Sequence, residues 1–131
     1  MIFRVQRDST VPIYEQIEAQ VIFGIASGSL EPGVLTPSVR DLAQRLLVHP
    51  NTVARAFGEL ERTGIVAARP GKGMEVTPEA PATCRARRRE IVRGRINDAL
   101  REAASSALTE DEIRKFVDEE LARINGQRRR K

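Results

Sequence analysis

The sequence predicts a mainly α chain: three short helices closed by a small β-hairpin, followed by two further helices. Three observations carry this. Between Ser38 and Val76, SVRDLAQRLLVHPNTVARAFGELERTGIVAARPGKGMEV places two apolar stripes at helical spacing either side of a tight turn and ends in two short runs around a glycine-rich tip. Upstream, Ile13, Ile17, Val21 and Ile25 stand four apart. Beyond PEAP, residues 78–81, the chain becomes highly charged but keeps a helical apolar period. This is the layout of a winged helix-turn-helix in residues 1–78 with a two-helix region in 79–131.

In chain order, Ile2, Phe3 and Val5 read as an edge strand or an arm over the core. Pro12 opens the first helix with Thr10 or Val11 near its cap, and Gly28 closes it. Gly24 inside that helix costs about 1 kcal/mol against Ala. Leu30 is expected inward beside the turn Glu31-Pro32-Gly33. Ser38, at the capping-box distance from Asp41, starts the second helix, whose Val39, Leu42, Ala43 and Leu46 form a core face. The third helix has His49 at its cap and Pro50 in its first turn, where the missing N–H is no loss. Val53, Ala56, Phe57 and Leu60 are its core stripe, and Gly64 terminates it. Residues 65–69 and 74–76 then pair across Pro70, Gly71, Lys72 and Gly73.

The face of the third helix left outward carries Asn51, Thr52 and Arg55, side chains that can pair with base edges and phosphates in a major groove. Taken alone, such residues are an ordinary solvated helix face. Their place at the start of a second turn-linked helix, beside a glycine-flanked Lys72, makes them candidate DNA contacts together with Ser38, Arg40, His49, Pro50, Arg69, Gly71 and Gly73. A phosphate-loop reading of RPGKG lacks the Lys-Ser/Thr context and is discarded.

After PEAP, Val92, Ile96, Ala99 and Ala103 share a stripe with Ile91 and Leu100 beside it. Thr109 and Glu112 form a second capping box, opening a helix with Ile113, Phe116, Val117, Leu121 and Ile124 inward. Two antiparallel helices with one apolar stripe each have no third layer, so a second chain is the expected cover. Val92, Ile96, Leu100, Ile113, Phe116, Val117 and Leu121 are the candidate dimerisation residues. The cluster Arg85, Arg87, Arg88, Arg89, Arg93 and Arg95 reads as a solvated face rather than a phosphate grip, and the tail GQRRRK as frayed.

Charge bounds these readings. The chain has 131 residues, 4% aromatic, and a net charge of +4. Residues 1–78 hold eight Lys/Arg against eight Asp/Glu, whereas 79–131 hold fourteen against ten. A DNA face must therefore be locally positive, made by Arg40, Arg55, Arg69 and Lys72, with Glu15, Glu18 and Glu31 elsewhere. One cysteine, Cys84, and one histidine can build neither an internal disulfide nor a zinc site, so no metal is expected. No apolar run approaches the roughly 20 residues that span a bilayer, and the opening decapeptide has no signal-peptide core, so a cytoplasmic chain without a membrane partner is expected.

VPIYEQIEAQV, SGSLEPG, PSVRDLAQRL, HPNTVARAFGELERTG and RPGKG, in this order over residues 10–76, resemble the GntR family of bacterial transcription regulators. NTVARAFGELE with a short carboxyl-terminal region is similar to the YtrA subfamily in particular. The resemblance implies a winged helix bound to an operator, a carboxyl-terminal dimerisation module, and no enzymatic activity. Two departures stand out. Thr36 occupies the place of the family's usual leucine before Pro-Ser, with Leu35 one position earlier, which implies a shifted loop. Met74 and Glu75 follow the wing's second glycine where Thr and an aromatic are usual, which implies weaker wing contacts.

The expected function is a homodimeric, sequence-specific regulator, a repressor on an inverted-repeat double-stranded DNA operator, with no cofactor and no catalytic residue. A winged-helix protein-interaction scaffold and a nonspecific architectural DNA binder are the rival readings. Whether a small-molecule effector exists is open, since about 50 residues after Pro78 are few for a roomy pocket.

Overall fold

The computed structural model describes residues 2–129. Their elements are α1 (Ile13–Ala26), α2 (Val39–Leu46), α3 (Pro50–Arg62), β1 (Val66–Arg69), β2 (Gly73–Val76), α4 (Ala80–Ser105) and α5 (Glu110–Arg129). They form two compact units, one running through Ile91 and the other from Val92 on.

In the first unit α3 is the central element, packed on α1, α2 and β1. Its Val53, Ala56, Phe57 and Leu60 are buried, as the stripe predicts, against Ile17, Val21, Ile22 and Ile25 of α1 and Leu42 and Ala43 of α2. Emptying the largest of these positions, Phe57→Ala, would cost about 3–5 kcal/mol. Pro12 itself stands at the α1 N-cap, without a side-chain cap bond, in place of Thr10 or Val11. Gly28 closes the helix at φ +88°, and Leu30 tucks in behind it. The amino-terminal segment is an arm and not a strand. Its backbone is held by two amides a turn apart on α1: Gln20 donates to Arg4 O and accepts from Arg4 N, and Gln16 does the same for Gln6. Phe3 and Val5 lean on the core, but Ile2 is 80% exposed, so the apolar opening is only partly used.

Ser38 Oγ accepts from Asp41 N at 3.1 Å and starts α2 where the capping box places it. The loop before it resolves the Thr36 departure. Thr36 is itself buried, its N–H and hydroxyl both donating to Met74 O, while Leu35 turns outward and bridges to Glu75. Ser38 is seated at the α2 cap, and a hydroxyl bonded to the hairpin satisfies the inward position before it. The hairpin pairs Val66 with Val76 and Arg69 with Gly73, burying Val66 and Val76 on the core.

PEAP is the start of α4 rather than a stop, with Pro81 in the first helical turn. The first turns of α4 belong to the first unit: Ala80 and Cys84 are fully buried, Ile91 leans on the core, and Arg87 Nη2 donates to Glu18 of α1 at 3.2 Å. In the second unit Ala107 turns the chain at φ +63°, and the Thr109–Glu112 capping box forms in both directions. Within one chain the α5 stripe is left largely uncovered, with only Ile113 and Ile124 half-buried. Among the described residues α5 buries none, and Phe116 and Leu121 are each 51% exposed. The remaining turns of α4 and α5 leave an apolar cleft of about 500 Å³ between Leu100, Ala104, Leu108, Ile113 and Val117. Two single-stripe helices cannot bury both stripes on each other once they stand apart. Far from fraying at GQRRRK, α5 runs through Gly126 to Arg129, its last turn carrying Arg128 and Arg129 at the negative end of the helix dipole; Arg130 and Lys131 lie outside the described residues.

Candidate nucleic-acid interface

The turn between α2 and α3 fixes how α3 is presented. Leu47 takes the left-handed conformation at φ +55°, and Arg7 from the arm donates to both Leu46 O and Leu47 O at 2.8 Å, placing a cation on the α2 carboxyl end. His49 Nδ1 accepts from Asn51 N at 3.0 Å, so its ring caps α3 in the manner of an Asn or Asp. Pro50 is the first helical residue. With the apolar stripe buried, Asn51 and Arg55 are exposed and Thr52 half-buried at the start of α3, in positions that can meet a groove.

Arg55 is not solitary. Its guanidinium lies over the Tyr14 ring, 3.8 Å from the ring centroid. Sequence reasoning missed Tyr14. The signal was an aromatic just off the α1 stripe on a helix expected to pack against α3.

Arg40 is exposed in the first turn of α2. At the wing, Gly71 and Gly73 sit at φ +76° and +114°, a backbone only glycine adopts freely, and Lys72 projects between them from an exposed turn. Arg69 differs from the expectation of a free cation: its Nε donates to Glu75 Oε2 across the hairpin. On α3, Arg62 is likewise bonded to Glu59 at 2.8 Å, and that bond holds the Glu59 carboxyl below its usual range. Of the basic cluster, Arg87 is tied to Glu18, Arg88 is half-buried, and Arg85, Arg89 and Arg93 are exposed. Burial pushes the Cys84 thiol up to about 11, with Arg87 opposing the shift. Among the described residues there is no cluster able to hold a metal ion and no helix long and apolar enough to cross a membrane.

The arrangement is a helix-turn-helix with a glycine-tipped wing, and it has known counterparts. Residues 13–76 match the family described as bacterial regulatory proteins, gntR family. The HTH-type transcriptional repressor YtrA of Bacillus subtilis (strain 168) is 30% identical over 118 residues, 90% of this chain and 91% of that protein. YtrA from Sulfolobus acidocaldarius, a GntR-family transcription factor, aligns with a TM-score of 0.58 at 34% identity, over 76% of this chain and 98% of that one. AraR(DBD) in complex with operator ORX1 aligns with a TM-score of 0.51 at 25% identity, over 56% of this chain and 92% of that one. On its sequence, its winged helix-turn-helix and these likenesses, the chain belongs to the GntR family of bacterial regulatory proteins and is a DNA-binding transcription regulator.

Proposed function

We propose that this regulator is a cytoplasmic repressor that binds an inverted-repeat operator as a homodimer. The observation that carries the reading is the two-sided α3: a fully buried stripe behind, and Asn51, Thr52 and Arg55 in front with His49 holding the helix start. In this reading α3 enters the major groove, Arg40 and Ser38 meet the backbone from α2, and Lys72 reaches a phosphate from the wing between Gly71 and Gly73. Arg69, bonded to Glu75, contributes less. The repressor named YtrA supports the sign of regulation, and the operator complex of AraR supports the mode of binding.

Dimerisation is assigned to the helices of residues 79–131. Val92, Ile96, Leu100, Phe116, Val117 and Leu121 are all at least 39% exposed, and Ile113 lines the cleft beside Leu100 and Val117, so the unit leaves large apolar side chains open on both helices, the kind of surface that marks an interaction site. A two-fold dimer covers this stripe with its own copy and spaces two α3 helices for two half-sites. Sedimentation of the full chain and binding to duplexes selected from a random pool test both statements. The expected result is a dimer at tens of micromolar that prefers an inverted repeat over shuffled sequence by roughly 10³-fold or more. A monomer, or affinity indifferent to sequence as an architectural binder would show, refutes it.

A further inference from the structure

The contact between Arg55 and Tyr14 joins the recognition face of α3 to the second residue of α1. We propose that Tyr14 is a positioning residue for operator recognition: its ring is a shelf that fixes the Arg55 guanidinium while leaving the N–H edge open for DNA. The inference rests on the reading of Arg55 as a DNA contact.

The physical argument is that stacking and hydrogen bonding use different parts of the guanidinium. A ring attracts the flat cationic face, whereas the five N–H donors lie in the plane and point out at the edge. A carboxylate neighbour would take that edge, as Glu75 does for Arg69 and Glu59 for Arg62. Tyr14 holds the cation without using a donor. The ring is itself anchored, half-buried against the core on a helix that packs along α3, so the shelf moves little. Its hydroxyl is directed to Glu15 at 3.3 Å and plays no part in the stacking. An arginine already held in one geometry loses less conformational freedom on binding, which is what preorganisation means for an interface.

The test measures affinity of the full-length protein for a duplex enriched from a random pool by the unaltered protein, at fixed salt. Tyr14→Leu is expected to weaken binding about 5- to 20-fold for a dimer with two such contacts, because each Arg55 must then be ordered on binding, and Tyr14→Phe to stay within about twofold, since the ring face is retained. In the Arg55→Ala background the same Tyr14→Leu change should alter affinity by less than about twofold, because the partner it positions is gone. An equal loss in both backgrounds shows that Tyr14 acts through the fold and overturns the proposal. If Tyr14→Leu does not fold, pentafluorophenylalanine at this position keeps the ring shape while reversing the charge distribution of its face. Weaker binding than with Tyr14→Phe supports the shelf, and equality overturns it. The reading underneath fails separately: if Arg55→Ala leaves affinity unchanged, Arg55 is no DNA contact, whereas a weakened Arg55→Ala with silent ring variants leaves the contact standing and removes only the shelf.

Discussion

Replacing Glu75 with Gln should strengthen DNA binding, an outcome opposite to what most changes near an interface produce. Glu75 Oε2 accepts from Arg69 Nε, with the arginine side chain 60% exposed and the glutamate 23%. Glu75→Gln keeps the side-chain shape and the strand register opposite Ala67, but removes the charge that neutralises Arg69. In a dimer this releases two cations, one at each wing. If each then reaches a phosphate, the slope of log affinity against log salt steepens by roughly 1.8, about 0.9 per phosphate. Relative to a 1 M salt reference, that corresponds to a gain of up to about 60-fold at 0.1 M. The stability cost is small, because a partly exposed ion pair contributes no more than about 1 kcal/mol. Fluorescence anisotropy on the selected duplex from 0.05 to about 0.3 M salt reads the slope, within the range where the electrostatic term dominates. A slope unchanged from that of the unaltered protein would refute the reasoning, since it places Arg69 out of reach of DNA whether or not Glu75 holds it.

Two further outcomes concern stability. Leu47 is 80% exposed at φ +55°, so its side chain gains little by burial while its backbone carries a left-handed penalty of about 1–2 kcal/mol. Leu47→Gly should raise the melting temperature by several degrees, a net gain of roughly 0.5–1 kcal/mol after glycine's greater unfolded freedom; an unchanged or lower value refutes it. The Cys84 thiol, raised by burial from 9.0 to about 11, binds its proton more tightly in the folded chain than in the unfolded one. Its stabilising contribution is therefore complete below about pH 9 and is lost as pH rises toward 11, by up to about 3 kcal/mol. Urea unfolding at pH 7 and pH 10 should show this loss in the unaltered protein and a smaller one in Cys84→Ala, and equal losses would assign the alkaline effect to other groups.

The parts legible in the sequence were those whose cause is local. Ser38 with Asp41, His49 before Pro50, Gly64 after α3 and the Thr109–Glu112 box each state a cap within a few residues, and each forms where it was read. The α3 stripe was equally plain, because a helix buried on one face must repeat its apolar residues at the helical period. What escaped depends on partners distant in the chain. Thr36 looked like a displaced leucine, yet Met74 O, 38 residues away, supplies the acceptor that lets a hydroxyl be buried there. Ala80 lies inside the apparent break at PEAP and Cys84 just behind it, and nothing near them announces that they complete the core of the first unit. For α5 the period was legible and one chain leaves the stripe open: a stripe reports that a face wants cover, not which chain supplies it.

Charge shows the same limit, and it bears on how narrowly the proposed interface is drawn. Counting cations along the chain puts the excess after residue 78, far from α3. The structure redistributes that count by pairing. Arg87 joins α4 to α1 through Glu18, Arg7 closes the end of α2, Arg62 meets Glu59, and Arg101, Arg114 and Arg123 each bind an acid one turn away. These cations organise the protein and offer little field to a distant polyanion, because a close pair is nearly neutral beyond a Debye length of about 10 Å at 0.1 M salt. Of the four cations expected to make the DNA face, Arg69 belongs with the paired set, while Arg40, Arg55 and Lys72 form no ion pair among the described residues. A first unit with no net charge in its residues 1–78 can therefore still present a positive face: Glu18, Glu59 and Glu75 are engaged with arginines, and Arg40, Arg55 and Lys72 stand on α2, on α3 and at the wing tip, the three elements a winged helix brings to DNA.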